Sequence, residues 1–310
     1  MNKSAMIQSC KKFKKNIIKD KYLLLLVAPV ILYYFIFHYI PMYGAVIAFK
    51  DFSPGQTIWS SQWVGFRWFQ EFFRSVYFGR LITNTFILSG LSLVFSFPIP
   101  IIFALLLNEV RRKSLKRMVQ TVSYLPHFIS LVVMVGILSN FLSPSDGIIN
   151  QLLKIMGMEP INFMGDPAWF RPLYIGSGVW QSFGWNSIIY MASLTSIDPH
   201  LYEAARMDGC NRWKEMRHIT IPGLMPTVVM LLILAMGNLM NVGFEKIILM
   251  YSPATYSVAD VISTYVYRRG ILSAQYSFGS AVGLFNSIIN FSLLLSVNKI
   301  SKRFSQIGLW

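Results

Sequence analysis

Six long apolar stretches divide this chain, and a backbone that crosses hydrocarbon must satisfy all its polar groups internally, which leaves the helix as the form for each. A span needs about 20 mostly apolar residues. The stretches run from Tyr22 to Phe49, Leu81 to Asn108, Thr121 to Leu142, Pro172 to Ser196, Gly223 to Met250 and Tyr276 to Asn298. With 54% hydrophobic and only 13% charged residues among 310, the chain carries more apolar surface than a soluble core needs. The expected fold is an all-α integral membrane protein with six transmembrane helices, a multi-pass protein. The fourth stretch is the most polar, with Gly176, Gly178, Gln181, Ser182, Gly184 and Asn186, and is expected to face protein or an aqueous path.

The net charge of +15 follows the same layout. Basic residues gather in the amino-terminal tail (Lys3, Lys11, Lys12, Lys14, Lys15, Lys19, Lys21), between the second and third stretches (Arg111, Arg112, Lys113, Lys116, Arg117), between the fourth and fifth (Arg206, Arg212, Lys214, Arg217), and in the carboxy-terminal tail (Lys299, Lys302, Arg303). By the positive-inside rule all four are cytoplasmic, both termini included. The surplus is therefore topological, with contact to anionic membrane lipid, and a nucleic-acid partner is not expected. Three parts follow: a basic tail over 1–21, a six-span body over 22–298 with a cytoplasmic loop at about 197–222, and a tail over 299–310.

That loop reads locally as a helical turn. Asp198-Pro199 is a helix start, Gly209 supplies a left-handed residue that ends the first helix, and Asn211 caps a second, short one through Met216, until Pro222 opens a new segment. Ala204 and Ala205 let a partner surface approach, while Leu201, Tyr202, Met207 and Trp213 offer apolar anchors. On spacing alone, such a loop either rests on lipid headgroups or docks a protein.

Chemistry-bearing constellations are not found. A G-x-x-x-x-G-K-[ST] phosphate loop is missing, and His38, His127, His200 and His218 are scattered without a carboxylate or thiol at ligand spacing, so no catalytic, cofactor or metal residues are assigned. Cys10 and Cys210 both fall on the cytoplasmic side, and no disulfide framework is implied. Gly279-x-x-x-Gly283 is a spacing for close helix packing. The aromatic run Trp59, Trp63, Phe66, Trp68, Phe69, Phe72 and Phe73 is either an interfacial belt or a docking face for an extracytoplasmic protein. A short helix is expected near Ile148 to Met156. Glu245 is read as a partner contact or as half of a salt bridge near Lys246.

The order E-A-A at Glu203 to Ala205, then Asp208-Gly209, then I-x-I-P at Ile219 to Pro222 resembles the cytoplasmic loop of importer-type ABC permeases. The stretches Pro98 to Met134, Tyr43 to Phe52 with Trp63 to Phe66, Asn241 to Glu245 and Asp260 to Arg268 resemble permeases for carbohydrate uptake, the aldouronate and complex-oligosaccharide group in particular. Cys210 and Met216 depart from the family's usual alanine and aromatic residue. The resemblance implies a sugar permease subunit, paired with a second, similar permease, with two ATPase subunits beneath and a sugar-binding protein outside. ATP and Mg would be bound by the ATPase chains and no cofactor by this one. Glu203, Ala204, Ala205, Asp208, Gly209, Ile219 and Pro222 would then couple to the ATPase.

Sugars bind through Asn, Gln and Ser hydrogen bonds and aromatic faces, so the path is sought among Asn84, Trp180, Gln181, Trp185, Asn186, Tyr190, Asn238, Asn241, Asn286 and Asn290; for each, helix-to-helix bonding is the competing role. Two other readings stand beside this one. A permease for a non-sugar solute such as a peptide would keep the E-A-A loop, whereas a secondary transporter or channel would use intramembrane charges or paired broken helices, and the stretches contain almost no ionisable residues.

Overall fold

Prolines and polar caps decide where these helices bend. The computed structural model describes residues 19–305 and Gly308; most of the basic amino-terminal tail and Cys10 lie outside the described residues. Helix α1, Lys21–Tyr34, continues through a π turn at Phe35–Tyr39 and a 3-10 stretch at Tyr43–Phe49, giving 29 helical residues. The π turn sits just ahead of Pro41, whose missing N–H deletes one rung of the normal ladder. None of its most apolar window is buried against the rest of the chain. A two-residue antiparallel pair, β1 (Lys50–Asp51) with β2 (Gln62–Trp63), closes the outer loop that follows.

Helix α2, Arg67–Arg74, splits the aromatic run. Phe69 and Phe72 are buried on its inner face, while Trp59, Trp63 and Phe66 are exposed. Helices α3 (Phe78–Ser96) and α4 (Pro98–Asn108) form one 31-residue span with prolines at the junction. The third stretch is not a straight span. Helix α5, Lys113–Tyr124, with its 3-10 end at Leu125–Phe128, meets α6, Leu131–Phe141, at 96°, and the Ser130 side chain caps the new helix by accepting from Val133 N–H. Helix α7, Ile148–Ile155, lies in the loop that follows.

Helix α8 spans Pro167–Thr195 and begins five residues before the expected Pro172. Asp166-Pro167 is its cap, with the Asp166 carboxylate accepting from Ala168 N–H, the same device as Asp198-Pro199 further on. At 29 residues α8 is long enough to cross a membrane, yet it is too polar to count as a span on composition. It is instead the helix the others pack on. Phe170, Tyr174 and Ile175 join a buried cluster with Leu88, Met134, Val242 and Ile247, and Tyr190, Met191 and Leu194 join another with Ala104, Leu107 and Leu224. Gly184 admits α5 at its side, since a Cβ there would run into the Ser123 carbonyl.

After helix α9, Pro199–Met207, come α10, Arg212–Glu215, a π turn at Met216–Thr220, and α11, Ile221–Met236. The fifth stretch then breaks at Gly237 to Gly243 and resumes as α12, Phe244–Met250. Helix α13, Tyr276–Ser305, runs past Asn298 without a break. Of the six expected spans, four single helices and the bent α5–α6 pair are long and apolar enough among the described residues. Gly279 packs on Gly270, whose Cα would lie 2.9 Å from an added Cβ, whereas Gly283 faces open space; the close approach is therefore not the one the Gly279-x-x-x-Gly283 spacing suggests.

Candidate functional site

In the 197–222 turn, α9 starts with Asp198 accepting from His200 N–H at 2.9 Å and stops at Gly209, whose φ of +75° is left-handed. A Cβ at Gly209 would meet nothing within 4 Å, so backbone conformation alone selects glycine there. Asn211 then caps α10 by accepting from Lys214 N–H at 3.0 Å. Pro222 does not open a separate segment. The π turn absorbs its missing donor, and Arg212 to Met236 is one helix of 25 residues, so the second arm of the turn and the fifth span are a single rod.

Two contacts join the arms. Arg206 Nε donates to Glu215 at 2.9 Å, and the Tyr202 and Thr220 hydroxyls are 3.1 Å apart. Burial works only weakly here, and the Glu215 hydrogen bond and charge raise the Arg206 pKa further above its already high value. Arg212 reaches Glu109 of the preceding cytoplasmic loop at 3.9 Å. Glu203, Ala204, Asp208 and Pro222 are exposed, Ala205 and Ile219 half-buried; the Glu203 carboxylate sits 3.1 Å from His200 Nδ1. Met207 and Trp213 stand out into solvent at 88% and 77% exposure. An open cleft of about 720 Å³ is lined by Glu109, Tyr202, Glu203, Arg206 and Arg212, and Trp213 walls a separate apolar one with Ile102, Leu106 and Met216.

Within the body, the proposed path residues fall into separate groups. Asn238, Asn241, Asn286 and Asn290 come together where the fifth stretch breaks. Asn241 Oδ1 accepts from Asn286 at 3.0 Å and Asn290 at 3.3 Å, and buried Asn290 accepts from Met240 N–H at 2.9 Å. Asn286 Oδ1 is buried without a partner. Gln181 is committed to the bend of the third stretch, donating to the Ile129 carbonyl at 2.9 Å. Trp185 stacks on His127 at 4.5 Å, with Trp180 exposed one turn away. Asn186 and Tyr190 line a small cavity of about 170 Å³ with Pro100 and Leu231.

Asn84 belongs to none of these. Its amide donates to the Ser257 and Asp260 carbonyls and accepts from Arg171, within a sealed outer network. At the centre of that network Asp260 is fully buried and takes Arg80 at 3.1 Å, Arg268 at 2.8 Å and the Thr264 hydroxyl at 2.9 Å. Burial opposes the charge on Arg268, but the Asp260 hydrogen bonds and charge outweigh it and raise its pKa.

The bend of α5–α6 and the break between α11 and α12 face each other across a cavity of about 550 Å³, walled by Leu131, Tyr174, Asn241, Phe244, Lys246 and Ser263 among others. Paired broken helices are a recurrent way to place polar groups inside a transporter. Lys246 is buried there and pairs with Tyr174, its Nζ donating to the backbone carbonyl at 2.6 Å and lying 4.7 Å over the ring. Glu245 is exposed and forms no ion pair among the described residues, so the expected salt bridge near Lys246 is not formed. The sequence signal for Lys246 was available: an ionisable residue close to an apolar stretch.

Residues 96–306 match the model of the binding-protein-dependent transport system inner membrane component. The chain belongs to that family. It is 46% identical to Protein LplB of Bacillus subtilis (strain 168) over 94% of this chain and 92% of that one. Against the polygalacturonan/rhamnogalacturonan transport system permease protein YteP of the same organism, identity is 42% over 95% and 92%. Among solved structures, a chain of a bacterial ABC transporter involved in import of the acidic polysaccharide alginate superposes with a TM-score of 0.87 at 44% identity, covering 95% of this chain and 99% of that one. A second structure of the alginate transporter, in complex with an alginate pentasaccharide-bound periplasmic protein, matches equally well. The chain is a multi-pass membrane permease and not an enzyme.

Proposed function

We propose that this chain is one of two permease subunits of an ABC importer and forms half of the path for a saccharide. Its partners are a second, homologous permease, two ATPase subunits that bind ATP and Mg²⁺, and an extracytoplasmic sugar-binding protein. Both termini and the 197–222 turn face the cytoplasm. Residues 22–298 form the permease body between the two tails.

One observation carries the mechanism: the second arm of the cytoplasmic turn is continuous with the fifth span. An ATPase surface that grips the two arms, through Leu201 and Met207 on α9 and Trp213 on α10, with Ala204 and Ala205 allowing close approach, would move the α10–α11 rod as one piece. Gly209 sets the angle between the arms, Asp208 and Ile219 flank the turn, and Glu203 offers a charge to a basic ATPase residue. The far end of the rod is the break beside Asn238 and Asn241, so closure of the ATPase pair is transmitted to the polar groups lining the path. The relatives named for polygalacturonan, rhamnogalacturonan and alginate transport support a saccharide as the cargo.

Uptake of radiolabelled oligosaccharides by cells lacking this chain tests the proposal. Loss of uptake, restored by the intact chain and by nothing that lacks the 197–222 turn, is the expected result. Unchanged uptake of every oligosaccharide together with lost peptide uptake would contradict it.

A further inference from the structure

Among the described residues, the buried ionic groups are matched, with one exception. Asp260 has Arg80 and Arg268, and Glu215 has Arg206. Lys246, at 7% exposure, has no carboxylate within ion-pair distance among the described residues. Its ammonium carries three donors, and one neutral backbone carbonyl and a ring face are what it has. Burying a charge so incompletely compensated is costly, and the cost is met when an anion arrives.

Glu245 lines the same cavity and forms no ion pair with Lys246 among the described residues, so it does not neutralise the ammonium; the other surroundings of Lys246 favour an anion. It lies on the wall of the 550 Å³ cavity between the two broken helices. Helix α6 starts on that wall at Leu131, and its amino-terminal end, with Ser130 capping a single N–H, carries the positive end of the helix dipole. Ser263 lines the same cavity, and its hydroxyl is buried behind that wall without a partner. Gly178 keeps the space beside the ammonium clear, since a Cβ there would lie 3.1 Å from Nζ.

Resting on the reading of this chain as a saccharide permease, we infer that Lys246 is a specificity-determining residue that binds a carboxylate of an acidic saccharide in the membrane-embedded cavity, with Ser263 and Asn241 as hydrogen-bonding neighbours. The carboxylate replaces the missing counter-charge, and the neutral sugar ring occupies the apolar remainder beside Phe244 and Tyr174. A neutral analogue leaves the ammonium unpaired and is held less well.

The test measures binding of trigalacturonate and of its fully methyl-esterified form to the complete importer purified in mild detergent without its binding protein. The intact complex is expected to hold the acid form about tenfold or more tighter, the scale of one charge-assisted hydrogen bond. Lys246→Met is expected to erase that preference and Lys246→Arg to keep it; Lys246→Gln serves in place of the Met variant if the latter does not assemble. Equal binding of both forms by the intact complex, no binding of either, or a preference that survives Lys246→Met and Lys246→Gln overturns the assignment. An equal loss of both forms in the variants also overturns it, because that marks a purely structural lysine. Oligosaccharide uptake by cells that persists in any of these cases leaves the permease reading standing; its absence removes both.

Discussion

The two ends of this permease join helices with the same chemistry and opposite degrees of enclosure. At the 197–222 turn, Arg206 and Glu215 tie α9 to the rod; the Glu215 side chain is 10% exposed, but its arginine is 65% exposed, so the pair stays open to water on one side. At the outer end, Asp260 holds two arginines with its own side chain wholly out of water. Exposed pairs contribute little, about 0–1 kcal/mol, whereas breaking a buried one leaves charges stranded at about 3–5 kcal/mol. The outer end is thus a fixed clamp and the inner end a joint that can move under an applied force.

Removing the clamp is the largest perturbation on offer. Asp260→Ala strands Arg80 and Arg268 and is expected to cost about 3–5 kcal/mol, seen as a large drop in thermal stability of the detergent-solubilised chain. Stability close to that of the intact chain would break the contrast between the ends. The turn itself should fail differently. Gly209→Val forces a β-branched residue into φ of +75° at a cost of about 1–2 kcal/mol, without a steric clash. Membrane insertion is expected to persist while ATP hydrolysis and transport uncouple, and Gly209→Asn should behave better than Gly209→Val because Asn tolerates that region. Equal transport by Val and Asn variants would remove the conformational explanation. Glu215→Ala should do least to stability, under about 1 kcal/mol, and a measured loss as large as that of Asp260→Ala would show that the inner end is no looser than the outer.

What could be read from sequence follows the same division. Whereas the ties between its arms are longer-range, the helix ends in the 197–222 turn are set by contacts four residues apart or fewer, Asp198 to His200 and Asn211 to Lys214, and by a glycine whose own backbone is the reason for its presence. Such features are visible in a string of residues. The continuity across Pro222 is not, because a proline near an apolar run reads as a boundary and the π turn that absorbs it has no compositional mark. The break after Met236 hid inside an apolar stretch for a similar reason, since Asn290 stabilises it from 50 positions away by accepting from Met240. Asn84 looked like a path residue and is instead committed to Arg171 and the Asp260 segment, partners distant in sequence. Helix α8 was recognisable as polar and small, and its central place in the packing accounts for that composition.

The central claim is that the 197–222 turn is where an ATPase engages this chain. Tagged protein drawn from native membranes in mild detergent, with bound proteins identified by mass spectrometry beside Glu203→Ala and Gly209→Val variants, tests it most directly. Recovery of an ATPase with the intact chain, and its loss or weakening in the variants at equal yield of the second permease, is the predicted result. An ATPase retained equally by all three, or a chain recovered alone across several detergents, would contradict the account.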